Sequence, residues 1–248
     1  VQLRIAISLV LVGLYLLIFA RDKLRVRLRD LWCFAGTGIV SLLLFSWCYF
    51  SGMQEASLSV MAVLLYTSPA FIVLLSVLLF RETLTRQKLL ALVLTFAGCC
   101  LVSGLGSGSA VSMKGLLLGL GSGFFYALYS IFAPFGLRHY SPLAVVFWTF
   151  VFAALGALFV ADWGNLMTVL SAPQNALLAA GLVLLSTVAP YILYTKGLAN
   201  VESGKASIMA SIEPVVGTLV GTLVFGEPIS AGVFLGLACI LACVYILR

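Results

Sequence analysis

Apolar residues along this chain run in long blocks, broken by short polar punctuation. A block of this kind suits a helix with lipid around much of its surface. Crossing a bilayer core of ~30 Å takes about 20 apolar residues. Nine blocks approach that length, roughly at 3–20, 31–52, 56–80, 88–106, 115–135, 142–161, 175–195, 205–225 and 229–247. Barrel strands would instead alternate over about ten residues, and lipid-exposed backbone tolerates only helices or closed barrels. The breaks are rich in Gly, Ser and Pro, as in "SGLGSGSAVS" at 103–112. No soluble domain fits between the blocks. The pattern predicts an all-α polytopic membrane protein.

Composition agrees. The 248 residues are 63% hydrophobic and 9% charged, against about 25% charged in a soluble domain. Lipid must therefore be the main solvent. A net charge of +6 raises nucleic acid as a partner, but the basic residues sit in short loops, as membrane topology demands, so no nucleic acid is expected. The six cysteines all lie inside apolar runs and read as small buried hydrophobes. Cys239 and Cys243 share a helical face, but no His or acid joins them, so no metal site is expected. No cleavable signal pattern is visible. The chain begins with Val1, which predicts that the natural start lies further upstream.

The loop charges set an orientation. "RDKLRVRLRD" (21–30) carries five basic residues, so the first block should end in the cytoplasm. Alternation then places Arg81, Arg86, Lys88, Arg138, Lys196, Lys205 and Arg248 inside too. That is twelve basic residues inside, with only Arg4 and Lys114 outside. Trp32 and Trp163 are expected as interface anchors.

The chain also repeats itself. Shifted by 145 positions, residues 49–102 lie without gaps on 194–247. Tyr49 meets Tyr194, Gly52 meets Gly197, Pro69 meets Pro214, Phe80 meets Phe225 and Glu82 meets Glu227. The loop charges of the two copies are opposed. "RETLTRQK" (81–88) has three basic residues and its counterpart "GEPISAGV" none; "SGMQEASLSV" (51–60) has none and its counterpart "KGLANVESGK" two. One pattern is thus written in two opposite orientations, the inverted-topology repeat common in secondary transporters.

These two stretches carry a resemblance. "ASLSVMAVLLYTSPAFIVLLSVLLFRETLTRQKLLALVLTFAG" and "ASIMASIEPVVGTLVGTLVFGEPISAGVFLGLACIL" resemble the EamA-type repeat of the drug/metabolite transporter superfamily. The shared features are a small-residue helix with a central Pro, an ending in Gly-Glu or similar, and a following helix. Here they are Pro69 with Arg81-Glu82 and Pro214 with Gly226-Glu227. The resemblance implies an inverted repeat of two five-helix halves, ten helices in all, with both termini cytoplasmic. Residues 1–106 would form the first repeat (family helices 2–5) and 107–248 the second (helices 6–10). Nine helices are visible, so the family's first helix is expected before Val1. The resemblance also implies small metabolites as cargo, often amino acids or related compounds, commonly exported across the plasma membrane.

Glu213 is the leading candidate for chemistry. Eight residues into its block, it lies about 12 Å from the cytoplasmic end. An acid at mid-membrane costs roughly 2.5–3.5 kcal/mol on insertion scales, so it should face protein or water. Pro214 cannot donate to the carbonyl of Ala210 and crowds it, so a bend with free acceptors is expected there. Ser211 lies close by. The plainer alternative is an acid that only braces the bend. The equivalent position in the first copy is Ser68, beside Pro69, with Tyr66 two residues earlier. "STVAPYILYTKG" puts Thr187, Pro190, Tyr191 and Tyr194 on one helical face. Tyr126 shares a side with Gly119, Ser122 and Ser130, and Trp148 lies within the 142–161 block. Each alone is more often core than site, but together they suit the mostly apolar wall of a ligand cavity. Pro69, Pro190 and Pro214 are the expected helix breaks.

Other features have plainer readings. Gly217 and Gly221 form a small-xxx-small pair suited to close helix contact. Glu82 and Glu227 read as solvated ends or caps for the next helix. Glu202 is within i, i+3 reach of Lys205. His139 reads as a solvated loop residue. A membrane enzyme would need clustered nucleophiles or metal ligands, which the chain does not supply. A channel or helper subunit remains the alternative to a transporter. No phosphate-cradling G-x-x-x-x-G-K-[ST] loop occurs, so ATP is not expected as an energy source. No cofactor is expected. The partners expected are the bilayer and a small-molecule substrate, with proton coupling through Glu213 and a homodimer left open.

Overall fold

Residues 2–102, 112–159, 180–225 and 231–246 are described by the structure, a computed structural model. Trp163, Gly226 and Glu227 lie outside these described residues. Among them the chain winds into nine helices with no strand. They are α1 (Gln2–Phe19), α2 (Leu28–Gly52), α3 (Leu58–Leu65 and Ser68–Phe80), α4 (Arg86–Val102), α5 (Met113–Leu137), α6 (Pro142–Ala157), α7 (Ala180–Leu198), α8 (Ser203–Ala210 and Glu213–Phe225) and α9 (Ala231–Ile246). Among the described residues, α1, α2, α3, α5, α7 and α8 are long and apolar enough to cross a membrane; α6 and α9 are shorter apolar helices. The protein is an all-α polytopic membrane protein.

The starts of α3 and α6 follow capping chemistry. Ser57 accepts from the Val60 N–H and Ser141 from that of Ala144, each at 3.4 Å, and Pro142 occupies the first turn of α6. A side-chain oxygen there satisfies an otherwise orphaned N–H, and proline loses nothing in a first turn.

Two helices are interrupted, and the interruptions correspond. α3 stops after Leu65 and resumes at Ser68; α8 stops after Ala210 and resumes at Glu213. A shift of 145 residues carries each half of α3 onto the matching half of α8. The residues that end the first halves, Tyr66 and Ser211, have the same backbone turn (φ −72 and −66, ψ 5 in both). The prolines do not sit inside a bend, as their spacing suggested. Each lies in the first turn of a new half-helix, where a missing N–H is harmless.

A second correspondence was not anticipated. α2 widens into π-helix over Gly36–Leu43, and α7 does so over Leu184–Val188, which is 145 residues beyond 39–43. Pro190, expected to break its helix, does not. The wide turns come directly before it, and α7 continues to Leu198. A π turn re-spaces the carbonyls that the proline ring would otherwise meet.

The chain forms two compact units. The first comprises Val1–Leu44 and Phe132–Asn200. Its core holds Leu16, Leu42, Val146, Phe150 and Ala153. α2 and α6 come so close there that a Cβ on Gly38 would lie 2.5 Å from the Thr149 carbonyl oxygen. The buried Thr37 and Thr149 hydroxyls meet at 2.7 Å, the kind of small-residue contact by which helices pack in lipid. The second comprises Phe45–Ile131 and Val201–Arg248. Here α4 lies along α9, with Gly98 against Ile240 and Thr95 Oγ1 donating to Cys243 Sγ at 3.1 Å. Val73, Ala91, Ile208 and Cys243 form a shared cluster that seats the first half of α8 on the second half of α3.

Polar contacts tie the loops, each within its unit. Lys114 Nζ lies 2.6 Å from Glu55 Oε1, and this hydrogen bond holds the half-buried Glu55 carboxyl below its ordinary range. Arg27 N–H donates to the Tyr140 hydroxyl at 2.9 Å, and that hydroxyl donates to Asp30 Oδ2 at 2.6 Å. Lys88 Nζ reaches Glu82 at 3.2 Å and Glu202 at 2.6 Å. Each contact joins loops that alternation places on one side of the bilayer.

The last contact corrects two expectations. Glu82 is neither solvated nor a cap for the helix that follows it. Its side chain is buried, pairs with Lys88 and accepts from the Ser203 N–H at 3.1 Å, so it caps α8. Glu202 reaches Lys88 in place of its near neighbour Lys205. Gly217, expected at a close helix contact, makes none among the described residues: a Cβ there would have no atom of theirs within 4 Å. Trp32 is 52% exposed.

Candidate functional site

Glu213 is the first residue of the second half of α8. It is therefore not a lone charge in the middle of a helix. The start of a helix offers unpaired N–H groups and the positive end of the peptide dipole. A carboxylate is at home there, and Pro214 in the next place sacrifices no hydrogen bond. The adjacency of acid and helix breaker thus has one cause: both belong at the opening of a half-helix. Ser68 opens the matching half of α3.

Glu213 is exposed at the surface of its unit. Tyr66, Tyr49 and Cys99 lie within electrostatic reach of its carboxylate. Tyr66, the residue at which α3 breaks, packs on Cys99, Val215, Leu237 and Ile240. Tyr49 lies against Phe45 with ring centroids 5.8 Å apart, and Phe45 meets Tyr126 edge-on at 5.3 Å. The second unit thus places one carboxylate within electrostatic reach of Tyr66 and Tyr49, and a series of rings runs on from Tyr49 through Phe45 to Tyr126. Ser68 and Ser211 are both buried beside the two breaks, and Ser211 Oγ donates to the Ser207 carbonyl at 3.3 Å. At the α3 break Thr67 Oγ1 donates to the Leu64 carbonyl at 2.6 Å. α5 presses on this point: a Cβ on Gly123 would lie 2.7 Å from Thr67 Oγ1.

Tyr191, Trp148 and Pro190 belong to the first unit. Tyr191 packs on Phe150 at 5.5 Å, at the edge of that unit's core. Trp148 donates from Nε1 to the Leu24 carbonyl at 3.2 Å and stacks on Phe34 at 6.2 Å. Its polar edge holds the basic loop to α6. Tyr49 and Phe45 were not named as site residues from the sequence. For Tyr49 the signal lay in the repeat, where it is the counterpart of Tyr194; Phe45 lies outside that alignment.

In chemical terms, a carboxylate at a helix start with phenol rings nearby can hold a compact cation. The charge would meet the acid, and aromatic faces attract cations further. The same carboxylate could carry a proton.

Comparison with known proteins agrees with this architecture. The profile of the EamA-like transporter family matches residues 1–104 and 113–248. The uncharacterized transporter YetK of Bacillus subtilis (strain 168) is 24% identical over 88% of this chain and 68% of its own length. An uncharacterized transporter of Archaeoglobus fulgidus is 30% identical over 80% of this chain and 70% of its own length. A crystal structure covering 99% of this chain, and matched over 84% of its own, shares the fold with a TM-score of 0.81 at 19% identity.

Proposed function

Since the chain belongs to the EamA-like transporter family, and is thus a multi-pass membrane transporter, we propose that it exports small metabolites, amino acids or related amines, across the plasma membrane. Transport would be secondary and proceed by alternating access. The observation that carries this reading is the setting of Glu213: a carboxylate at the opening of a half-helix, with Tyr66 and Tyr49 in electrostatic reach. A substrate ammonium fits that setting. A strongly anionic substrate does not. Cargo leaving against its gradient would need an ion gradient or exchange, and Glu213 is the group able to exchange a proton for the amine.

The corresponding breaks in α3 and α8 support the alternating step. Each divides a helix into two halves joined by two residues, so one half can tilt without unwinding the other. Repeats written in opposite orientations then supply two related states, one open to each side.

The test is uptake and counterflow in liposomes carrying the natural gene product, with a panel of amino acids, organic cations and sugars. Trans-stimulated exchange of an amine-bearing compound is the expected result. A channel or helper subunit would show no counterflow. Glu213→Gln should abolish coupled exchange or shift its pH dependence; parental transport across pH 5–8 with unchanged substrate range would reduce the acid to a brace.

A further inference from the structure

The densest charge outside this site lies in the first unit. Residues 21–30 carry five basic groups against two acids, Asp22 and Asp30. The Arg27–Tyr140–Asp30 hydrogen bonds bend this loop over the turn that follows α5. A cavity of about 330 Å³ results, lined by Arg25, Val26, Arg27, His139 and Tyr140. That is the size of a small-ligand site.

The charges of this cavity are not spent internally. Among the described residues neither Arg25 nor Arg27 forms an ion pair, and both are exposed. Asp30 gives its carboxylate to the Tyr140 hydroxyl. Arg138 is occupied elsewhere, over the Phe135 ring at 5.2 Å. Two arginines and a histidine therefore line a cavity that suits an anion. Orienting the chain in a bilayer needs positive charge alone; it does not need a cavity.

The surroundings favour one source of that anion. Leu28, next in the chain to Arg27, is 85% exposed, and Trp32 is 52% exposed. A soluble phosphate would gain nothing from these side chains. An amphiphile would place its phosphate between the arginines and its acyl chains against the leucine and indole. Basic pockets at the ends of membrane helices hold anionic headgroups in this way. We propose that the pocket between residues 25–27 and 139–140 binds the headgroup of an anionic phospholipid.

Thermal unfolding in nonionic detergent tests this, read by tryptophan fluorescence during titration with short-chain phosphatidylglycerol, phosphatidylcholine of the same chains, or inorganic phosphate. Phosphatidylglycerol should raise the midpoint and phosphatidylcholine should not. Arg25→Gln/Arg27→Gln should raise the half-effective lipid concentration roughly 30-fold, about five- to sixfold per charge. Arg21→Gln/Arg29→Gln removes equal charge outside the pocket and should stay near the parent. Arg25→Lys/Arg27→Lys should keep the response. Equal response to both lipids, or equal loss in the two glutamine pairs, overturns the proposal. Inorganic phosphate acting as strongly as phosphatidylglycerol overturns the lipid as the source. The parent titrations decide even if a variant fails to fold.

Discussion

Glu213 shows what one residue can reveal and what it hides. A single acid in an apolar run is conspicuous because lipid makes it expensive. Its reason was not visible, because it depends on where the helix stops. Once Ser211 and Ile212 leave the helix, residue 213 becomes a helix start. A charged hydrogen bond to substrate contributes about 1.5–3 kcal/mol, so Glu213→Gln should weaken an amine substrate's affinity roughly ten- to hundredfold in counterflow titrations. Folding should be intact, since Gln keeps the shape. Tyr49 was missed for a different reason: its link to Glu213 runs between residues 164 positions apart, and no local spacing encodes that. Glycines make the same contrast. Gly38→Ala drives a methyl into the Thr149 and Ala153 backbone and should cost about 1–3 kcal/mol, as overpacking does. Gly217→Ala meets no atom among the described residues and should gain up to about 1 kcal/mol from helix propensity. Unfolding midpoints of the two variants in detergent should move in opposite directions.

Among the elements, the half-helices were the most legible. Pro69 and Pro214 announced a discontinuity in the sequence and erred only in its position, by about half a turn. The π segments of α2 and α7 were not legible. No proline lies within Gly36–Leu43, and a change of winding leaves little trace in a run apolar on every side. The junction of α4 with α8 also depends on distant partners. Lys88 and Glu82 are buried together, with Glu202 closing the group from 114 residues away. Removing one partner of a buried pair costs about 3–5 kcal/mol, because the other is left charged and unsolvated. Lys88→Met should therefore lower the unfolding midpoint sharply. Adding Glu82→Gln to it should recover part of the loss, although the Ser203 N–H would then be capped by a neutral group. A purely additive double variant would show that Glu82 and Lys88 do not depend on each other.

For the whole molecule, the count of helices among the described residues and the repeat itself could be read directly, since length and a 145-residue period are one-dimensional signals. The division into compact units could not. Orientation is open to direct test. With the six native cysteines replaced, single cysteines at Arg25, Arg86 and Arg138 should react with impermeant reagents only from the cytoplasm, and one at Gln54 only from outside. Reaction of any of these from the opposite side would break the alternation. The composition of the units has a further consequence, for biosynthesis. Each unit takes one segment from the first part of the chain and another from much later. Synthesis runs at roughly 5–20 residues per second, so Lys88 is made several seconds or more before Glu202 exists. During that interval the early helices stand in the bilayer with a lysine and a glutamate holding only each other. The nascent first half is then a client in waiting, exposed to membrane chaperones and proteases until translation of the second half completes it. A gene split between residues 102 and 112 should yield stable protein when both pieces are co-expressed, and a short-lived first piece when it is made alone.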